Sequence, residues 1–245
     1  MQVLFAGPSL SGTKFVPLKS GEDRVLPEYG LTCRGPAKCG DITHAVDQGF
    51  DVIALVDGRF EDVAAVWHKE ILHALSAGAT VYGAASMGAL RAAECHPFGM
   101  IGIGHVFERY AHGGLEDDAA VAQVHAPAEF GYLAFSEAMV TVDATLDAAL
   151  AAGSIRPDEH ELIRARADAV FFKERSWRRI FDAVAADIEN PADRLKPHMR
   201  NIKREDAEAL LGILLKGQPS APGDVSPEFA GWRFNATTQW RKLRG

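Results

Sequence analysis

Short apolar runs alternate with helically periodic stretches along the first 130 or so residues of the chain. Residues 3–6, 51–56 and 79–82 are nearly unbroken apolar runs, each ending in a turn-forming segment: Gly7-Pro8-Ser9, Asp57-Gly58 and Gly83. Runs of this kind predict strands covered on both faces, as in a parallel sheet. A weaker strand is expected near residues 29–33, and helices at 42–48, 61–77 and 87–95. From residue 136 the periodicity becomes helical throughout. Helices are expected over 136–152, over 158–187 with Pro157 at the start and Asn190-Pro191 ending the run, and over 204–216. The pattern therefore predicts an α/β protein, with a Rossmann-like parallel sheet carrying helices on both faces and an α-helical C-terminal region after it. Residues 97–131, rich in glycine and histidine, read as ordered loop with a short helix. The expected organisation is an α/β core over 1–135, a helical region over 136–217, and a tail over 218–245 whose Phe229, Trp232 and Trp240 suit packing onto another surface.

Composition narrows the class. No apolar run approaches the roughly 20 residues needed to span a bilayer, so no membrane partner is expected. The first residues, Met-Gln-Val-Leu-Phe-Ala-Gly-Pro, read as a strand and not as a leader. Three cysteines without paired spacing argue against a disulfide framework and are read as free thiols in a reducing cytoplasm. The net charge of −7 is uneven, with the acidic excess in residues 1–153 and a mildly basic remainder. Nothing in the acidic part favours nucleic acid. Basic character in the second part suits either a solvated helical surface or an acidic partner.

In a parallel α/β sheet, ligands bind outside the carboxyl ends of the strands, so the three turns should converge on one crevice. No G-x-G-x-x-G follows the first strand, and no phosphate-binding G-x-x-x-x-G-K-[ST] loop is present, so no nucleotide cofactor is expected. The most informative stretch is Val81-Tyr-Gly-Ala-Ala-Ser-Met-Gly-Ala-Leu-Arg-Ala-Ala-Glu94. It places Ser86 between a strand and the start of a helix, where free N–H groups point at any nearby negative charge. The arrangement approaches the G-x-S-x-G nucleophile elbow, with the upstream glycine (Gly83) one position early and Gly88 in place. Ser86 is thus a nucleophile, an anion ligand or a plain helix N-cap. A nucleophile needs a base: His68, His105, His112, His125 and Lys69 are the candidates, with Lys69 the poorer partner because it points away from its helix's apolar face. Asp57, at a neighbouring strand end, can orient a base, bind substrate or simply make an Asp-Gly turn. Arg91 can hold a carboxylate or phosphate, or pair with Glu94 three residues on. Glu94 itself lies about 12 Å along the helix from Ser86 and cannot touch it. The acids at 116–118 do not share one face, so no metal site is expected there.

Beyond these local readings, the Gly7-Pro8-Ser9 turn, Gly40-Asp41-Ile42, Asp57-Gly58-Arg59-Phe60, His68-Lys69-Glu70-Ile71-Leu72, the run from Gly83 to Glu94, Phe98-Gly99-Met100 and Asp117-Asp118 together resemble the TfuA-like proteins. The resemblance covers roughly residues 1–135 and continues loosely through Phe172 to Trp177. It implies a partnership with a YcaO enzyme, which uses ATP to activate a backbone amide of a ribosomally made peptide so that a thioamide is installed. ATP is expected on that partner and not on this chain. The resemblance also suggests a ThiS-like carrier with a C-terminal thiocarboxylate as the sulfur source. In that reading Ser86 attacks the acyl carbon, the Met87 N–H and the Gly7–Ser9 turn hold the oxyanion, His68 or His125 shuttles the proton, Asp57 orients it, and Arg91 grips the carrier tail. Two other readings stand beside it: a non-catalytic adaptor that recruits sulfur donor or precursor peptide to YcaO, and a free-standing serine hydrolase.

Overall fold

The computed structural model describes residues 1–217 and 223–243. Six strands form one sheet: β1 (Gln2–Phe5), β2 (Arg24–Leu26), β3 (Leu31–Arg34), β4 (Val52–Leu55), β5 (Thr80–Ala84) and β6 (Ile101–Ile103), in the order β2-β3-β1-β4-β5-β6. All neighbours run parallel except β2, which pairs antiparallel with β3 at one edge. The apolar runs at 3–6, 51–56, 79–82 and 29–33 correspond to β1, β4, β5 and β3. Strands β2 and β6 are too short to stand out as apolar runs.

Side-chain alternation along the strands sorts the core into two layers. Val3, Phe5, Ile53, Leu55 and Val81 pack with residues of α1 (Asp41–Asp47), α2 (His68–Ser76) and α3 (Met87–Cys95). Leu4, Ala6, Val52, Ala54, Val56, Tyr82 and Ala84 face the other way, against Ala207, Leu210, Leu211 and Leu214. A third apolar cluster joins α3 and α4 (His105–Ala111) to the helices of the second half. These are α5 (Met139–Ala151), α6 (Pro157–Asp168), α7 (Trp177–Val184), α8 (Pro191–Leu195) and α9 (Ile202–Leu215); a short α10 (Thr238–Leu243) follows. Helix α9, distant in sequence, covers a sheet face and lies against both β5 and the Pro8–Leu10 turn. Among the described residues no helix is long and apolar enough to cross a membrane.

Two expected helices are shorter than their periodicity suggests. The helix expected over 61–77 begins only at His68. Glu70 explains this: its buried carboxylate accepts the Trp67 N–H at 3.1 Å with one oxygen and the Gly40 N–H at 2.8 Å with the other. That bond sets the helix start, while Ala64 turns its carbonyl to the Cys39 N–H instead. The helix expected over 158–187 is broken into α6 and α7. Buried Arg175 donates to the carbonyls of Ala167 (2.9 Å) and Val170 (3.2 Å), satisfying acceptors at the end of α6, and Ser176 caps α7 through the Arg179 N–H.

The tail aromatics pack on the chain's own surface. The Phe98 ring meets Phe229 at 4.6 Å and Trp232 at 5.4 Å between centroids, and Trp240 is buried against Trp67 and His73 of the α2 region. Residues 218–222, 244 and 245 of the expected tail lie outside the described residues.

The sheet and α3 approach each other so closely that only glycine fits. A Cβ on Gly88 would lie 1.8 Å from the Leu55 carbonyl oxygen, and one on Gly83 would lie 2.1 Å from the Gly88 carbonyl oxygen. Gly212, inside α9, has open space around the same position. Gly88→Ala is therefore expected to lower stability by at least about 1–3 kcal/mol through overpacking. Gly212→Ala should raise it by roughly 0.5–1 kcal/mol through helix propensity. Urea denaturation of both variants at one pH checks the opposite signs.

Candidate functional site

The crossing point of the sheet lies between β1 and β4: the chain passes from β1 to β3 on one side and then returns to β4 on the other. Such switch points leave a crevice at the carboxyl ends of the strands. Here a cleft of about 950 Å³ opens, lined by Pro8, Asp57, Gly58, Ser86, His125, Tyr132 and Lys203 among others. The strand-end turns converge as the sequence requires.

Asp57 spans the crossing point. Its Oδ2 accepts the backbone N–H groups of Gly7 (2.9 Å) and Ser9 (3.0 Å), and its Oδ1 accepts the Ser9 hydroxyl at 2.7 Å. The carboxylate is 2 % exposed, so these three donors replace its lost water. This differs from two expectations. Asp57 holds the turn after β1 and makes no hydrogen bond to a histidine. The Gly7 and Ser9 N–H groups, turned toward Asp57, are not free to receive an oxyanion, and Pro8 has no N–H to give. Gly7 is needed for space: a Cβ there would lie 2.6 Å from Pro36 Cγ.

Ser86 follows β5 through a sharp turn. Ala85 sits at φ 67°, in the left-handed region that costs an L-residue roughly 1–2 kcal/mol. The backbone there folds tightly, with the Ser86 N–H on the Ala84 carbonyl at 2.8 Å. Held strain of this kind occurs where the fold aims one side chain. Ser86 is the residue before α3, but its side chain makes no cap hydrogen bond, and its Oγ has no partner among the described residues. Ser86 lines the cleft. Met87, the first residue of α3, has no intrahelical acceptor for its N–H, whereas the Gly88 N–H is given to the Val56 carbonyl at 3.1 Å. Met87 also covers Gly58, where a Cβ would meet Met87 Cγ at 2.6 Å.

The candidate bases separate by place. His125 lines the cleft. Its Nδ1 lies 2.8 Å from the Ala126 carbonyl, to which it can only donate. Its ring packs on Tyr132. His68 and Lys69 do not line the cleft. His68 Nε2 pairs with Glu94 at 2.8 Å, and Lys69 Nζ donates to Thr237 Oγ1 at 3.1 Å under the tail. Arg91 is equally committed: Nε donates to the Val66 carbonyl at 2.9 Å and a terminal nitrogen to Glu94 at 2.6 Å. Burial works against the Glu94 carboxylate, but His68 and Arg91 together hold its pKa below the ordinary value. His68, Arg91 and Glu94 brace α2 against α3, Lys69 is held by the tail, and none of the four lines the cleft. His105 opens α4 and His112 directly follows its last residue, and neither lines the cleft.

Lys203 escaped the sequence reading. It enters the cleft from the first turn of α9 at 2 % exposure, with Nζ donating to the Val121 carbonyl (3.0 Å) and to Gln123 Oε1 (3.1 Å). The signal was available: 203, 207, 210, 211 and 214 form the buried stripe of α9, and a lysine stands on it. The cysteines carry no comparable chemistry. Burial pushes the Cys33 and Cys95 thiols up to about 12, where thiolate is scarce near neutrality, and all three cysteines are free. Among the described residues no cluster of histidine, cysteine or acidic side chains has the makings of a metal site.

The clamp and the hydroxyl make separable demands. Asp57→Asn removes the charge and one acceptor from three buried hydrogen bonds, and is expected to cost about 1.5–3 kcal/mol in chemical denaturation at neutral pH. Ser86→Ala, with no protein hydrogen bond to lose, should change stability by less than about 0.5 kcal/mol.

No curated protein matches the chain. A model of the TfuA-like protein family, however, matches residues 57–176, a span that runs from the Asp57 clamp through the Ser86 turn and the His125 loop to the start of α7. Residues 57–176 of the chain thus belong to the TfuA-like family.

Proposed function

We propose that this chain works beside a YcaO enzyme in thioamidation of a ribosomally made peptide, and that it releases sulfur by hydrolysing the C-terminal thiocarboxylate of a ThiS-like carrier. Family membership supports the YcaO-associated role. The observation that carries the hydrolytic reading is the Ser86 turn. A hydroxyl without a partner among the described residues stands on a strained strand-to-helix connection, beside a helix N-terminus, on the wall of a cleft of about 950 Å³. A helix cap alone explains none of this, because Ser86 does not cap.

In this reading Ser86 Oγ attacks the acyl carbon and sulfur departs with the electron pair of the C–S bond. The Met87 N–H, at the positive end of α3, faces the developing oxyanion. Water then attacks the acyl-serine to regenerate Ser86 and leave the carrier with a carboxylate. The second oxyanion donor first expected from the Gly7–Ser9 turn is not used, because Asp57 holds those N–H groups.

The cleft mouth suits a protein-borne tail more than a free metabolite. The loop that supplies Pro127 and Tyr132 to the lining also exposes Phe130, Leu133 and Phe135, at 74 %, 59 % and 61 %. Exposed apolar residues beside a cleft are the usual mark of a protein contact. The aromatic tail is a weaker candidate for that contact, since Trp240 is buried against the chain's own α2 region.

The test is sulfide release from a thiocarboxylated ThiS-like carrier, with and without the YcaO partner. Wild type is expected to release sulfide and Ser86→Ala to lose at least about 10²–10⁴-fold, with binding to YcaO unchanged. Equal thioamidation by wild type and Ser86→Ala would favour the adaptor reading.

A further inference from the structure

The hairpin that gives Pro127 and Tyr132 to the cleft is held differently at its two ends. Its root is fixed by the main chain and by buried Ser136. His125 bridges Ala134, the Val124 N–H donates to Ser136 Oγ at 2.9 Å, and Gln123 Nε2 donates to the Ser136 carbonyl at 2.9 Å. The tip, residues 126–134, is fastened to the rest of the chain by side-chain hydrogen bonds. Ser20 gives its N–H to one Glu129 oxygen at 2.8 Å and its hydroxyl to the other at 3.1 Å, and the Ser11 hydroxyl donates to the Gly131 carbonyl at 2.6 Å. Residues 20–23 line the cleft too, so the Glu129 bonds tie the tip to that wall.

From the tip, Ala128 and Tyr132 join an apolar cluster; among the described residues its other side chains join none. A segment with so few buried apolar contacts belongs to the least stable part of a fold. Tyr132 is the inner face of the tip. At 5 % exposure its ring lies over Gly7 and Gly35, which follow β1 and β3. A Cβ on Gly7 would meet Tyr132 Cδ1 at 3.2 Å, and one on Gly35 would meet the phenol oxygen at 2.6 Å. The residue holds φ at 58°, a left-handed backbone that bulky side chains rarely adopt, so the seated tip keeps strain that release of the ring relieves. Phe130, Leu133 and Phe135 of the same hairpin are turned outward and exposed.

We propose that the tip of this hairpin is a lid on the cleft, seated by Tyr132 and latched by Ser11 and Ser20, and that the carrier protein opens it by covering Phe130, Leu133 and Phe135 with an apolar surface of its own. The inference rests on the carrier reading of the cleft. Continuity commits the exposed edge to the carrier: the hairpin that forms this edge also lines the cleft that takes the carrier's tail, so one protein reaches both. Covering three exposed apolar side chains is favourable in proportion to the area removed from water. The latch bonds set against it are exchanged for bonds to water when the tip lifts, so their net contribution is small. While the lid is closed the tail is refused, and the apparent affinity for the carrier falls with the fraction of open molecules. Turnover is thereby tied to a protein-borne tail rather than to a free thioacid.

The test reads the lid in the free protein and the carrier in turnover. Tetranitromethane nitrates accessible tyrosine as its phenolate, and burial holds the Tyr132 phenol above its ordinary pKa, so the seated ring should react slowly. The paired change Ser11→Ala with Ser20→Ala removes two latch bonds without changing charge. It should speed nitration of Tyr132, read by peptide mass, by about 3–10-fold, and lower KM for a thiocarboxylated ThiS-like carrier by a similar factor with kcat unchanged. The triple change Phe130→Ser, Leu133→Ser and Phe135→Ser should leave kcat as it is and raise that KM at least about 10-fold. Unchanged nitration in the latch variant overturns the lid, as does faster nitration with a KM that stays or rises. A triple variant with the wild-type KM overturns the carrier's part in opening it. Wild-type protein that releases no sulfide at any carrier concentration overturns the hydrolytic reading itself, a separate failure, since nitration of the free protein still decides the lid.

Discussion

The buried carboxylate of Asp57 is the constraint on which the site depends. It sits where the sheet reverses its direction of growth, so the turns after β1 and β4 must meet without a strand between them to join them. Two backbone N–H groups and one hydroxyl from the Gly7–Ser9 turn close on that single side chain. Each donor would otherwise face the cleft unpaired, and an ionised carboxylate at 2 % exposure would be costly without them. The clamp thus satisfies both partners at once. It also commits the N–H groups of the β1 turn, which are therefore not free for a cleft ligand.

The second constraint is steric and lies one strand further on. Gly83 and Gly88 let α3 pack onto the sheet at distances that exclude any side chain. That close approach forces the left-handed backbone at Ala85 and turns Ser86 outward rather than back onto its own helix. The spacing differs by one residue from the familiar G-x-S-x-G, yet the glycines serve the same end, close strand–helix contact below an exposed hydroxyl. The backbone geometry, more than the spelling of the motif, distinguishes Ser86 from a capping serine.

Around this centre the charged residues divide into braces and cleft groups. His68, Arg91 and Glu94 form a connected set that fastens α2 to α3, and Lys69 is taken up by the tail. Of the expected bases His125 reaches the cleft, and Lys203, which was not expected, lines it as well. Both are carried by segments far from the sheet in sequence, and both are oriented by main-chain carbonyls, which fixes the atoms they present.

Hydrophobic patterning was enough to determine the α/β class, the main parallel strands, α3 to the residue, and the convergence of three turns on one crevice. These follow from local alternation and from the rule that parallel strands present their carboxyl ends together. Ser86 and Asp57 were legible as cleft residues for the same reason, since each stands two residues beyond a strand end. Helix starts set by Glu70, and the break bridged by Arg175, were not legible, because a side chain from elsewhere or a turn of the chain outweighed local propensity. Tertiary structure alone decided which polar groups share the cleft. Periodicity along one helix says which face is buried but not what it is buried against. Thus His68, near Ser86 in sequence, is drawn to Glu94, whereas Lys203 reaches the same cleft as Ser86 because α9 folds back across the sheet.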